Sequence, residues 1–254
     1  MLLVITSCIN PPKQENLALT DPVARWKYTE SSLNKIFQTG LFDKIVICDS
    51  SNFRFDKEIE TLAKTYNVNL EILSFWGDSN QVSKQGKGYG EGEIMEYFIN
   101  NSVLLKEEDS FFKITGRLYV ENIYEIINEI KPGKNYFNIT SLKFFKSIDT
   151  RFYKINKEDY IHYLLYAYHE VDDNNNLWYE VIFRNHLRKA PFSQFPILPV
   201  IRGVSGTHGK DDFNDDTLFK YKKFLTKIGL HNSMFGAVTS YIILKIESIL
   251  NYEK

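Results

Sequence analysis

Lys44-Ile45-Val46-Ile47-Cys48-Asp49-Ser50-Ser51 is the stretch that decides the fold. A continuous apolar run follows a lysine and gives way to an acid and two hydroxyls. A short strand that is apolar on both faces belongs in the interior of a parallel sheet, with helices covering both sides. On its N-terminal side, Leu2-Leu3-Val4-Ile5 repeats the pattern and runs into Thr6-Ser7-Cys8. A loop from Ile9 to Thr20 carries Pro11 and Pro12. Asp21-Pro22 then opens a helix through Arg25 to Phe37, with a cap residue followed by proline in the first turn, and Gly40 stops it. On the C-terminal side, Glu58 to Tyr66 predicts a helix and Leu70-Glu71-Ile72-Leu73 a third strand. This β-α-β-α-β order implies a parallel sheet, with ligands at the carboxyl ends of its strands, near Thr6 and Asp49.

The pattern continues beyond the third strand. Gly86 to Glu93 reads as a glycine-rich segment feeding a helix from Glu93 to Asn101. Phe111-Phe112-Lys113-Ile114 reads as a fourth strand that ends in Thr115-Gly116-Arg117. Tyr124 to Ile130 is a short helix and Phe137 to Phe145 a strand. Further helices are expected near Tyr160 to Tyr168, Trp178 to Arg188, Leu218 to Ile228 and Ser233 to Tyr252. Between them lie an acidic, Asn-rich loop at Asp172 to Asn176, an extended Pro191 to Pro199, and a polar loop at Arg202 to Asp216. No repeat or linker splits the chain. It reads as one α/β domain over 1–254, with a mostly parallel sheet flanked by helices and a helical C-terminal part.

Composition narrows the function. The chain has 254 residues, 43% hydrophobic and 25% charged, which is globular and not disordered. Its formal net charge of -1 supplies no global basic field for nucleic acid. Phosphate binding would therefore need local basic groups. Cys8 and Cys48 sit in apolar runs and read more readily as buried small hydrophobes than as a bridge or metal site. The first apolar residues are too few for a signal peptide, and no stretch approaches the length of a membrane span. The protein is expected in the cytoplasm, where contact with the inner membrane face or a homodimer stays open.

Two glycine motifs fail on inspection. Gly86, Gly88, Gly90 and Gly92 alternate, but a dinucleotide fingerprint needs a third glycine where Glu91 and Glu93 stand. Gly209-Lys210 lacks the P-loop partners, since Val204 and Asp211 occupy the required positions. The positive signal is polar groups at successive strand ends: Thr6 to Asn10, Asp49-Ser50-Ser51, and Lys113 to Arg117.

On those residues the chain resembles GT-A type glycosyltransferases, which open with a strand, a loop, a helix, and a strand ending in Asp and Ser. The resemblance implies a Rossmann-like fold, with 1–130 binding a nucleotide sugar and 131–254 holding the acceptor and the catalytic group. It implies that Asp49 bonds the base or ribose, with Thr6 and Ser50 nearby. It implies that the Gly86 to Glu91 segment, through Lys87, Gly88 and Glu91, faces the donor. One departure matters. Where such enzymes carry Asp-x-Asp for a divalent cation, this chain has Lys113-Ile114-Thr115-Gly116-Arg117. Lys113 and Arg117, with Thr115 and Gly116 between them, cannot hold a cation but can neutralise a leaving diphosphate. Metal-free members also recruit a late basic loop, and Arg202, His208 and Lys210 match that description. No metal or other cofactor is expected.

An inverting transfer needs a carboxylate to take the acceptor's proton. Glu180, in Leu177-Trp178-Tyr179-Glu180 at a helix start, is the candidate, with Trp178 and Tyr179 as sugar-stacking groups and Arg151 at the acceptor. The expected activity is metal-independent transfer to a glycan or lipid-linked glycan, as in lipopolysaccharide or capsule synthesis. Two rivals remain: a sugar nucleotidyltransferase, and a binding module without catalysis.

Overall fold

The computed structural model describes residues 1–12, 18–139, 147–206, 209, 217–228, 230, 238–239 and 242. The chain opens with strand β1 (Leu2–Ser7), helix α1 (Pro22–Gln38), β2 (Lys44–Asp49), α2 (Lys57–Thr65) and β3 (Asn69–Ser74). Asp21 starts α1, its carboxylate accepting from the backbone N–H groups of Val23 and Ala24. That satisfies donors a helix start otherwise leaves unpaired. Next come α3 (Ser79–Gln85), α4 (Lys87–Asn101), β4 (Ser110–Thr115), β5 (Leu118–Val120) and α5 (Ile123–Glu129). The second half holds β6 (Tyr136–Ile139), β7 (Ile148–Asn156), α6 (Lys157–Tyr163), α7 (Tyr179–His186), β8 (Ser193–Gln194), β9 (Ile201–Gly203) and α8 (Thr217–Lys227).

Seven strands form one sheet in the order β3-β2-β1-β4-β7-β6-β8. Strand β1 pairs in parallel with both β2 and β4, and β2 with β3. Strand β7 runs antiparallel to β4 and β6, while β8 is parallel to β6. The fold is the mostly parallel, helix-flanked α/β sheet read from the sequence. The chain leaves β1 toward β2 on one side and returns to β4 on the other. That reversal opens a crevice at the carboxyl ends of β1 and β4, where Thr6 lies opposite Thr115.

The core has two layers because β1 alternates. Leu2 and Val4 face Met95 and Phe98 of α4 and Phe183 of α7. Leu3 and Ile5 face Leu33 and Phe37 of α1 and Ile126 of α5. Each such side chain, fully removed from water, contributes about 1.5–3 kcal/mol.

Three sequence expectations change. The helix expected from Glu93 starts earlier: helix α4 begins at Lys87, so Gly88, Gly90 and Gly92 lie in its first turns. A Cβ on Gly92 would lie 2.0 Å from Cβ of Tyr168, and one on Gly88 2.6 Å from Cβ of Tyr179. The glycines let two neighbouring segments press against the helix, which offsets the roughly 1 kcal/mol each costs in a helix interior. Gly92→Ala is therefore expected to destabilise the protein by about 1–3 kcal/mol. Thermal denaturation checks this, and an unchanged midpoint would mean Tyr168 gives way freely. The second change is that the helix expected over Tyr160 to Tyr168 ends at Tyr163, and a 3-10 turn spans Ala167–Glu170. The third is that Ile148–Asn156, where no strand was expected, is a central strand. The rest of the strand expected to Phe145 lies outside the described residues, as does all of the Ser233 to Tyr252 helix except 238, 239 and 242. Among the described residues no helix is long and apolar enough to cross a membrane.

Candidate functional site

A cavity of about 530 Å³ opens at the carboxyl ends of β1, β2 and β4. Thr6, Ser50, Thr115 and Arg117 come from the strand ends, and Lys87, Gly88 and Glu91 from the first turns of α4. Arg151 comes from β7, and Tyr179 and Glu180 from the start of α7. Ten of the residues singled out in the sequence thus line one wall-to-wall space. They reach it because four different elements end there: three parallel strands and the N-terminus of α4, with α7 packed across the latter at Gly88.

Five others do not line the wall. Asp49 is fully buried. Its Oδ1 accepts from the Ser51 N–H at 2.8 Å, the Ser51 hydroxyl at 2.6 Å and the Phe53 N–H at 3.2 Å, and its Oδ2 from the Ile9 N–H at 3.0 Å. Asp49, expected to bond a base or ribose, is placed beneath the wall, where it ties the loop after β1 to the turn after β2. Asp49→Ala is expected to cost about 3 kcal/mol or more of stability, because it orphans several buried donors. Urea denaturation reads that directly, and a variant as stable as wild type would return Asp49 to the ligand.

Lys113, expected at the donor phosphates, is likewise placed beneath the wall. Only 1% of it is exposed. Its ammonium donates to the Thr150 carbonyl at 2.8 Å and the Thr115 hydroxyl at 3.1 Å, and pairs with Glu91. The Thr6 hydroxyl donates to the same Glu91 oxygen at 2.9 Å. The lysine's charge is thus committed beneath the floor, where it fixes a carboxylate that the cavity sees.

Gly116 donates its N–H to the Thr6 carbonyl at 2.8 Å and lets β4 close onto β1. Trp178 precedes α7 outside the wall. Arg202 pairs from β9 with Glu121 at 3.0 Å and is not among the residues that line the cavity. His208 and Lys210 lie outside the described residues. Tyr179 lines the space but is only 4% exposed and packs on Phe183 at 4.3 Å, so its ring offers no open face to a sugar.

Trp76 and Arg25 are among the wall residues that were not singled out in the sequence. Trp76 is 75% exposed at the rim. Its backbone is held rigidly: Asn52 N–H donates to the Phe75 carbonyl at 2.8 Å and Gly77 N–H to that of Ser50 at 2.9 Å. Phe75, pointing the other way, stacks on Tyr97 at 4.2 Å. The signal was the alternation past Leu73-Ser74, which puts position 76 on the face opposite 75. Arg25 was read only as helix, yet it sits on the buried stripe of α1 with Thr29, Leu33 and Ile36.

The electrostatics are uneven. Burial pushes the Glu180 carboxyl above its ordinary range, its own backbone N–H and Lys87 pull it back, and Asp149 and Asp173 push it further up. Asp173 is raised as well, mainly by burial, against the pull of Lys87. Burial would raise Asp149, but Arg151 outweighs it, with Nη2 at 2.6 Å and Nε at 2.9 Å from the carboxylate, and the net shift is downward. Among the described residues no three His, Cys, Asp or Glu side chains converge as a metal-ligand set.

No protein-family model matches the chain, and no curated protein sequence matches it. Solved structures with a similar course include the glycosyltransferase GlyE of Streptococcus pneumoniae TIGR4, at 12% identity over 76% of this chain with a TM-score of 0.49. The chain spans 45% of GlyE's length. HddC of Yersinia pseudotuberculosis is 13% identical over 80% of this chain and 92% of its own, with a TM-score of 0.44. The galactosyltransferase LgtC, described with donor and acceptor sugar analogs, is 10% identical over 76% of this chain and 73% of its own, with a TM-score of 0.48. At such identities and TM-scores these likenesses decide nothing about chemistry, which rests on the cavity's own walls.

Proposed function

We propose that the cavity binds a nucleotide-activated sugar and transfers the sugar to an acceptor hydroxyl with inversion, without a metal ion. The observation that carries this reading is one juxtaposition. Lys87 and Arg117 stand in the same cavity wall as Glu180, a desolvated carboxylate of raised proton affinity, at the carboxyl ends of a parallel sheet. The volume is within the usual range for a small-ligand site.

The roles follow from charge. Glu180 takes the proton of the acceptor hydroxyl as its oxygen attacks the anomeric carbon. The bond from that carbon to the phosphate oxygen breaks, and its electron pair leaves with the nucleoside diphosphate. Arg117 and Lys87 meet the charge that develops there, which favours the transition state over the ground state. Glu91, fixed by Lys113 and by the Thr6 hydroxyl, presents acceptor oxygens to sugar hydroxyls. Arg151, held by Asp149, reaches the acceptor side. Trp76 at the rim is a flat apolar face for a base or a sugar ring. A glycan or lipid-linked glycan of a surface polysaccharide is the acceptor class we favour, from the resemblance read in the sequence.

Two experiments test the reading. Transfer from a nucleotide sugar is expected to persist in EDTA; loss of activity that Mn²⁺ or Mg²⁺ restores would contradict it. The pH profile is the second. The base must be ionised, so the rate is expected to rise with pH through an acid limb lying above the usual carboxylate range. Glu180→Gln should abolish that limb, and an unchanged limb would assign it to another group.

A further inference from the structure

Glu93 is a wall carboxylate without a cation. It lines the cavity from α4 and is half-buried. Among the described residues it forms no ion pair, and its oxygens accept only from the Asp78 N–H, Oε1 at 2.9 Å and Oε2 at 3.1 Å. One N–H shared between two oxygens leaves each with acceptor capacity to spare. Burial pushes the carboxyl above its ordinary range, the Asp78 N–H pulls it back, and the charges of Asp78 and Glu96 push it up again. Its negative charge is therefore costly, and a ligand that donates hydrogen bonds to it relieves that cost.

Its place on the helix sets what it meets. At about 100° per residue, Glu91 and Glu93 project roughly 200° apart around α4. Glu91 faces the floor, where Lys113 and the Thr6 hydroxyl hold it. Glu93 turns to the other edge, toward the end of β3: a Cβ built on Gly77 would lie 2.8 Å from its Oε2. The residue before Gly77 is Trp76, 75% exposed and lining the same cavity. Ser51 bridges to Trp76 through the backbone, and Gly77 N–H donates to the Ser50 carbonyl at 2.9 Å, so the ring's backbone is fixed. This end of the wall sets a flat aromatic face beside a two-oxygen acceptor, and none of Trp76, Gly77, Ser79, Val82 or Glu93 is cationic. Such an end suits a neutral planar ring with N–H donors and not a phosphate.

The donor pattern names the ring. A carboxylate only accepts, and its two oxygens match two N–H groups side by side. Among the common nucleobases, guanine alone presents two adjacent donors, N1–H and N2–H, on one edge. Uracil and thymine flank a single N–H with carbonyl oxygens, which a carboxylate repels. Adenine and cytosine set an acceptor nitrogen beside their amino group. We propose that Trp76 and Glu93 form the base subsite of this cavity and select guanine, which stacks on Trp76 and donates N1–H and N2–H to the two Glu93 oxygens. The nucleotide itself rests on the function proposed above; the subsite adds the substrate class, a guanosine-diphosphate sugar.

Guanosine, inosine, uridine, adenosine and cytidine diphosphates, titrated calorimetrically into the full chain in EDTA, are the test. Inosine keeps N1–H and lacks the 2-amino group. The guanosine form is expected to bind about tenfold or more tighter than each of the others, the worth of a hydrogen bond to a charged group. Glu93→Gln keeps the size and turns one acceptor into a donor. It should weaken guanosine diphosphate about tenfold or more and leave uridine diphosphate nearly unchanged, a change of order that a merely structural role would not produce. Trp76→Ala should weaken all five by about tenfold, the worth of a base stack. Thermal melts without ligand check that both variants fold; if Glu93→Gln does not, the wild-type order of guanosine over inosine and uridine decides. An order led by another base overturns guanine selection and leaves the donor reading intact. So does a folded Glu93→Gln that keeps the wild-type preference, or a Trp76→Ala that binds as wild type does. No binding of any of the five overturns both. Guanosine diphosphate binding that depends on Glu93, with no transfer from any guanosine-diphosphate sugar, upholds the subsite and removes the transfer reading.

Discussion

Glu180→Gln is expected to slow sugar transfer by roughly 10²–10⁴-fold, the worth of a positioned general base, while donor affinity stays near wild type. Gln keeps the shape and loses only the proton acceptor. The same substitution should leave the fold as stable as before or more so. Burial raises the Glu180 pKa in the folded state above its unfolded value. A carboxyl shifted that way binds its proton more tightly when folded, so its contribution to stability falls as pH rises between the two values. At neutral pH the ionised group is a liability to the fold, and neutral Gln relieves it. Single-turnover rates and thermal melts separate the two effects. Normal turnover would remove Glu180 as base and move the role to Asp173, another desolvated carboxylate on this wall. It would also favour a binding module over an enzyme if Asp173 proved equally inert.

Lys113→Met is expected to destabilise the protein by about 3 kcal/mol, because breaking a buried pair strands the remaining charge. The lower end of the usual range applies, since the Glu91 side chain is 22% exposed and water can reach it. Adding Glu91→Gln should restore part of the loss, because a carboxamide needs no cation. A double-mutant cycle in urea reads the coupling. If Lys113→Met unfolds like wild type, the pair does not hold the floor together. Sugar affinity should fall with Lys113→Met even though the lysine itself is out of a ligand's reach, since Glu91 would no longer be fixed.

The parallel half of the sheet was legible because strands apolar on both faces leave few alternatives. Asp21-Pro22 marked the first helix for an equally local reason. What failed was non-local. Nothing in Gly88-Tyr89-Gly90-Glu91-Gly92 announces that Tyr168 and Tyr179 press on it, so the helix start was placed at Glu93 and not at Lys87. Asp49 stood where a ligand carboxylate was expected, but whether it turns outward or inward depends on the Ile9 and Ser51 donors. Lys113 was placed on the right strand, but its pairing with Glu91 across 22 positions is invisible to spacing. Arg25 was legible in principle: a charge on the apolar stripe of an amphipathic helix asks for a partner, and the stripe was there to count. The Ile148–Asn156 strand was missed because its polar positions, Asp149, Thr150, Arg151 and Lys154, hide the alternation.

The central claim is that this cavity takes a nucleotide-activated sugar through its own cations. Thermal shift against a panel of nucleotide sugars in EDTA tests it most directly, since a ligand that binds only the folded state raises the melting temperature by mass action. The account predicts that at least one nucleotide sugar raises the midpoint in chelator, and that Arg117→Ala abolishes the rise. A panel that leaves the midpoint unmoved, or a shift that appears only when a divalent cation is added, would contradict it.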